Sequence, residues 1–419
     1  MTRRWACLAL GMTLAAPAAR AGQVPEFWHY MGAGGEYQAV KAMMNEVNKQ
    51  FPTTPVTERV IPGHAAGLRQ QIQVSLMGGD PPAVYQVDIG VEVSLVAKAG
   101  RALDIEDVWK DIDGDRIFPE GIRRIITFDG KHVALPIDMS IVNNVFYNKS
   151  VFEKLGLAPP KTWEEWSAVC AKLKANNVGC LANGASGPWS FYNMYPALLE
   201  TLGTDGYWKF ARGEISLKSP EFRQALDLYR KRFAQNYVAN WTAAKWSDGA
   251  DLLMRGNVGM YMIGDWASGY MKERGFKPGV DYDFFPAPGM EKISIFQADT
   301  VVALKGDQSV AAKNFMRGIA SPAAQSAFNI LKGSLAPNVQ TPTDIYDPIQ
   351  KREFEKLNTA GNTTLPNLII LMPVDYRTAL RTEIERFASD PTDEALNTLV
   401  EKLEPQRLQA EKSNLFIKW

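Results

Sequence analysis

The chain has 419 residues, 46% of them hydrophobic and 22% charged, enough for a packed core and for two or three domains rather than one. Its 46 basic and 46 acidic residues cancel to a formal net charge of zero, which argues against nucleic-acid binding and against a polybasic membrane anchor. A neutral total leaves local charged patches possible, and the 11 Trp serve equally as core filling or as an aromatic binding surface.

The chain opens on Arg3 and Arg4, followed by the apolar run "ACLALGMTLAAPAA", too short to span a bilayer. Ala19-Arg20-Ala21 fits the small-x-small cleavage rule. Residues 1–21 are therefore expected to be a cleaved signal peptide and the mature protein to be exported to the periplasm. Cys7 lies too early for lipid acylation. The later run "LIILMPV" from Leu368 is of core size only.

From Glu26 the pattern reads as strand, glycine loop and helix. "EFWHY" is aromatic and strand-like, Gly32, Gly34 and Gly35 break it, and Val40, Met43, Met44, Val47 and Phe51 recur on one helical face. "TPVTERVIP" reads as a second strand, followed by a helix through Leu68 and Ile72 that stops at "MGGDPP". "AVYQVD" is a third strand, and "IGVEVSLVAKAG" a helix closed by Gly100. The alternation predicts a mainly parallel sheet with helices on both faces.

A second unit starts near Asp138 with the strand-like "IVNNVFYNK". "KTWEEWSAVCAKLKANNVG" has a capping box, Thr162 with Glu165, and is a helix; "CLAN" returns to strand. Helices are expected in "NMYPALLETLG" and "SPEFRQALDLYRKRFAQ", a strand in "NVGMYMIGDW", and a turn-rich connector in "DYDFFPAPG". "DTVVALKG" is another strand, "SVAAKNFMRGIAS" a helix, and the tail from Pro373 is mainly helical. Cys170 and Cys180, ten positions apart, at the start of a predicted helix and just past its end, are either a disulfide or two buried thiols. Three scattered histidines, His29, His64 and His132, give no metal-site spacing, and no metal or cofactor is expected.

The glycine loop is a poor phosphate cradle. It lacks the Lys and Ser/Thr of a P-loop and the third glycine of the dinucleotide fingerprint, and Glu36 adds negative charge. It is either a close-approach turn or a place where backbone amides and Glu36 meet a neutral, hydroxylated ligand. In an open sheet, ligands bind beyond the carboxyl ends of strands. If "DTVVALKG" rejoins the first sheet, Tyr30, Asp88 and Asp299 meet in one crevice. Carboxylates and Lys bond hydroxyls, and aromatic faces cover the apolar face of a pyranose. Glu36, Asp88, Trp189, Trp266, Asp299 and Lys332 are thus candidates for sugar capture. Core packing is the competing reading of both Trp, and a solvated surface that of Asp265 and Lys332.

The leader, "GGEYQAVKAMMNEVNKQFP", "LMGGDPPAVYQVD", "GKHVALPIDMSIVNNVFYNKSVFEKLGLAPPKTWEEW", "RGNVGMYMIGDWASG", "FPAPG" and "KGSLAPN", in that order, carry a resemblance across the mature chain. The chain resembles the family 1 extracellular (periplasmic) solute-binding proteins of carbohydrate ABC transporters, nearest the glucose/mannose-type binding proteins. The resemblance implies an α/β, two-lobed periplasmic-binding-protein fold of type II. The first lobe would span residues 22–136 and 300–340, the second 137–299 and 341–419, with crossings at "LPIDMS" and before Asp299. It implies a monomer that binds a small carbohydrate between its lobes, closes about the hinge, and meets a membrane permease, with no covalent step. Sugar contacts would fall at Tyr30, Gly35, Glu36, Asp88, Trp189, Trp266, Asp299 and Lys332. Two positions depart from the family's glucose binders. Tyr30-Met31 stands where a Trp pair is usual, and Asp88 stands where a Lys is expected. An amino sugar or a larger oligosaccharide therefore fits as well as glucose. The alternatives are a same-fold receptor for a non-sugar polar solute and an exported glycoside-active enzyme, the latter without a supporting motif.

Overall fold

The computed structural model describes residues 24–32, 34–185 and 187–418. The expected signal peptide over 1–21, with Cys7, lies outside them.

Two separate sheets form the two halves of the molecule. The first has five strands in the order Thr57–Val60, Glu26–His29, Val84–Asp88, Asp299–Ala303 and Leu135–Pro136. The first three are parallel, and Asp299–Ala303 enters antiparallel on both sides. All five of its residues are buried, as suits a strand covered on both faces. The second sheet runs Tyr282–Pro286, Asn144–Asn148, Val258–Ile263, Gly179–Leu181, with only the last pair parallel. The sheets are mixed rather than mainly parallel. The reason is connectivity: Asp299 and Asn144 arrive from the neighbouring half, so no crossover helix forces them into the parallel sense.

A third, small sheet joins the halves: Thr363–Pro366, Ile293–Gln297 and Ser140–Ile141. Ile293–Gln297 leads into Asp299, and Ser140–Ile141 follows Asp138, so these are crossing strands. The stretch "DYDFFPAPG" proves to contain an edge strand rather than only a turn. Tyr282, Phe284 and Phe285 are buried, and Pro286 closes the strand at its edge.

The first helix, Gly34–Gln50, buries Val40, Met43, Met44 and Val47, the face the periodicity predicts, and packs on helix Pro322–Lys332. Helix Trp163–Ala175 starts as expected at Thr162, whose hydroxyl accepts the Glu165 N–H at 3.2 Å. The Glu165 carboxylate reaches the Lys161 N–H at 2.7 Å instead of returning to Thr162, so the capping box is displaced by one residue. A disulfide joins Cys170 in this helix to Cys180 in the next strand, with Cα atoms 4.9 Å apart. Leu368–Leu371 is a fully buried helical turn, and helices Val374–Ser389 and Asp393–Lys412 pack against one another. Among the described residues no helix is long and apolar enough to cross a membrane.

Candidate ligand cleft

The first sheet sets out a row of polar side chains along one edge. Strands Glu26–His29 and Val84–Asp88 deliver Tyr30 and Asp88 at their carboxyl ends. Because Asp299–Ala303 runs the other way, its first residue reaches the same edge, and Asp299 pairs in register with Asp88. The Tyr30 hydroxyl donates to Asp299 Oδ1 at 2.8 Å and lies 3.2 Å from Asp88 Oδ1. Gln86 donates to Asp299 Oδ1 at 2.8 Å and accepts the Tyr30 N–H at 3.2 Å.

Behind this row sits a buried ion cluster. Lys332, at the end of its helix, is 2% exposed. Its Nζ donates to Asp299 Oδ2 at 2.6 Å and to Asp138 Oδ2. Asp138 Oδ1 also accepts the Asp299 N–H at 2.6 Å. Burial opposes the Lys332 charge, but Asp138, Asp299 and Glu36 outweigh it and raise its pKa. Burial likewise opposes the Asp299 charge, but Lys332 holds it below the ordinary carboxylate range. Lys332 and Asp265 are thus interior groups, not solvated surface. Asp265 is fully buried, and its Oδ2 accepts the Ile141 N–H of the crossing strand at 2.8 Å.

Two carboxylates remain available. Glu36, in the first turn of its helix, is partly exposed and has no hydrogen-bond partner among the described residues. Burial lifts its pKa to about 7, against the pull of Lys332. Asp88, also partly exposed, is lifted to about 6 by burial and by Asp299.

The second half contributes aromatic rings. Trp189 and Trp266 are buried and lie 5.6 Å apart at 52°. Trp189 meets Tyr192 edge-on at 5.8 Å, and the Tyr192 hydroxyl donates to Gln297 Oε1 of a crossing strand at 2.8 Å. Burial raises the Tyr192 pKa, and the charges of Asp88 and Asp299 add to the rise; Gln297, its partner, stands two residues before Asp299. Gly35 has a different neighbourhood. An added Cβ would lie 3.0 Å from the Leu331 carbonyl and 3.1 Å from that of Gly269. Its bareness lets three backbones meet.

Five cleft residues were not singled out by sequence: Gln86, Asp138, His64, Tyr192 and Arg381. Gln86 and Asp138 lie inside the stretches "AVYQVD" and "LPIDMS", but only the structure shows their partners. His64 is exposed and stacks on Tyr30 at 4.3 Å. Arg381 follows Arg377 by four residues on one helix, a pairing that periodicity could have flagged. Among the described residues no group of three His, Cys, Asp or Glu could hold a metal ion.

Comparison with known proteins agrees with this architecture. The family model described as bacterial extracellular solute-binding protein matches residues 33–326. An uncharacterized ABC transporter extracellular-binding protein of Pyrococcus horikoshii is 32% identical over 349 residues, 82% of this chain and 78% of that protein. A probable sugar-binding periplasmic protein of Rhizobium meliloti is 27% identical over 362 residues, 84% and 86% of the two chains. Among solved structures, the bacterial solute receptor AcbH, described as having an exclusive preference for β-D-galactopyranose, superposes with a TM-score of 0.83 at 22% identity. The match covers 92% of this chain and 99% of that one. A chitin oligosaccharide binding protein gives 0.81 at 18% identity, covering 93% and 100%.

Proposed function

Because the chain belongs to the bacterial extracellular solute-binding protein family, we propose that it captures a carbohydrate between its two lobes and delivers it to the membrane permease of an ABC importer. The observation that carries this reading is the pairing of Glu36 and Asp88, carboxylates with spare acceptor capacity, with a wall of Trp189, Trp266 and Tyr192. Such carboxylates accept hydroxyl protons, and aromatic rings cover the apolar face of a sugar. The sugar-binding names of the Rhizobium relative and of AcbH support the same class.

Tyr30, Glu36 and Asp88 would hold hydroxyls, with Trp189 and Trp266 as the apolar wall. Asp299 and Lys332 would act from behind, fixing the Tyr30 hydroxyl, and Gly35 would serve by letting the lobes approach. Lobe boundaries at 136/137, 299/300 and 340/341 go with this reading, as does closure about the crossing strands. Export through a signal peptide over 1–21 goes with it too, and a Cys170–Cys180 disulfide suits the oxidising periplasm. The protein would act as a monomer, and capture involves no covalent step.

Tryptophan fluorescence during titration with mono- and oligosaccharides tests this reading, with chromatography of the sugar afterwards. Saturable quenching and an unchanged sugar are expected. Consumption of the sugar would establish an enzyme instead, and saturation only by a non-sugar solute would reassign the receptor.

A further inference from the structure

Helix Val374–Ser389 packs on the short helix Trp189–Tyr192 and carries Arg377 and Arg381 one turn apart. Arg377 is fully engaged. Its Nη2 donates to Glu92 of the first lobe, its Nη1 donates to the Ile369 carbonyl at 2.8 Å, and Arg69 holds Glu92 from the other side at 3.1 Å. This clasp fixes the helix beside the loop that follows Asp88. At that loop Gly90 has φ 89°, and an added Cβ would lie 2.3 Å from the Ile370 carbonyl.

Arg381, one turn further along, has no such clasp. Among the described residues no acceptor bonds its guanidinium, and its Nε is buried without a partner. The groups whose charges reach it are Tyr192 and Glu385 on its own lobe, Arg377, and Asp88 across the cleft. It also acts on His64, which stacks against Tyr30. A guanidinium offers five donors in a rigid fork that suits two neighbouring oxygens at once. Leaving the buried Nε–H without an acceptor is unfavourable, and the side chain as a whole is partly exposed, so a ligand between Arg381 and Asp88 would meet a fork that the fold leaves open.

We infer that Arg381 is a specificity-determining residue, whose guanidinium takes two neighbouring oxygens of the captured sugar, vicinal hydroxyls or a carboxylate, opposite Asp88. The inference rests on the carbohydrate reading and sharpens it: the second lobe contributes a cationic fork as well as aromatic rings. A sugar held this way donates to Asp88 and accepts from Arg381, so one ligand links both lobes.

Calorimetric titration of D-glucose, D-galactose, D-glucuronate and D-galacturonate, with their disaccharides, into wild type, Arg381→Gln and Arg381→Lys tests it. Arg381→Gln is expected to bind the wild type's preferred sugar at least tenfold more weakly. Its ligand-free melting midpoint should be equal or higher, because a partly buried cation without a hydrogen-bond acceptor among the described residues is removed. Arg381→Lys keeps the charge but loses the fork and should fall between. If a carboxylate fills the fork, the wild type prefers uronates and Arg381→Gln loses that preference. If a diol fills it, the wild type prefers hexoses and the variant weakens them. Wild-type affinity in Arg381→Gln overturns the inference, as does a lower melting midpoint with unchanged affinity. Should Arg381→Gln fail to fold, unchanged affinity in Arg381→Lys overturns it alone. A wild type that binds none of these sugars, and no amino sugar or longer oligosaccharide either, overturns the carbohydrate reading itself.

Discussion

Asp88 and Asp299 face each other in register across antiparallel strands, and the Tyr30 hydroxyl lies 3.2 Å from one and 2.8 Å from the other. The two carboxylates differ in their further company. Asp299 is bound by Lys332 and Gln86 as well, while among the described residues the Asp88 carboxylate has only the longer Tyr30 contact. One strand pairing thus separates a structural carboxylate from one available to a ligand.

Glu36→Gln should weaken sugar binding by about tenfold or more, since a hydrogen bond to a charged group contributes about 1.5–3 kcal/mol. Stability should change little, because Glu36 has no hydrogen-bond partner to lose among the described residues. Calorimetric titration read beside a thermal melt checks both halves.

Sugar affinity should fall as pH drops from about 7 towards 6, where Glu36 and then Asp88 take up protons. The stability sign is opposite. Both carboxyls have folded values above their unfolded ones, so the folded state binds these protons more tightly. Their contribution to the ligand-free protein therefore rises as pH falls through the same window. In Glu36→Gln the upper part of the binding profile should flatten; an unaltered profile would remove Glu36 from the site.

Lys332→Met should cost about 3–5 kcal/mol of stability, because it leaves Asp138 and Asp299 buried without their cation. Denaturant unfolding measures this. A loss under 1 kcal/mol would mean the two carboxylates accept a shared proton instead.

Gly269→Ala should obstruct the junction of the two lobes. Its Cβ would lie 2.1 Å from the Lys332 carbonyl, in backbone that cannot swing aside as a side chain can. Small-angle scattering with and without sugar should show less compaction in this variant than in wild type.

The fold was legible where periodicity speaks for itself. Val40, Met43, Met44 and Val47 fix the face of the first helix, and the apolar "DTVVA" run marks a strand covered on both faces. The mixed strand directions were not legible, because they depend on where the chain crosses between lobes. The edge strand Tyr282–Pro286 was hidden by Pro286 at its end and by Pro288 and Gly289 just beyond it. At the cleft, residue type alone identified Glu36 and Asp88 as candidates, but it could not tell a spare cation from a satisfied one. Residue type puts Lys332 among the sugar contacts and leaves Arg381 unmarked. Only the packing shows that the first has two carboxylate partners and that the second has none among the described residues.

The most direct test of the account is a thermal-shift screen of the chain from Gly22 against monosaccharides, disaccharides, amino sugars and polyols, run in parallel on wild type and Asp88→Ala. A ligand that binds only the folded state raises the midpoint by mass action. A clear rise with one sugar class is expected in wild type, and its loss in Asp88→Ala. A flat wild-type response to every sugar would contradict carbohydrate capture, and an equal rise in both proteins would contradict its location in this cleft.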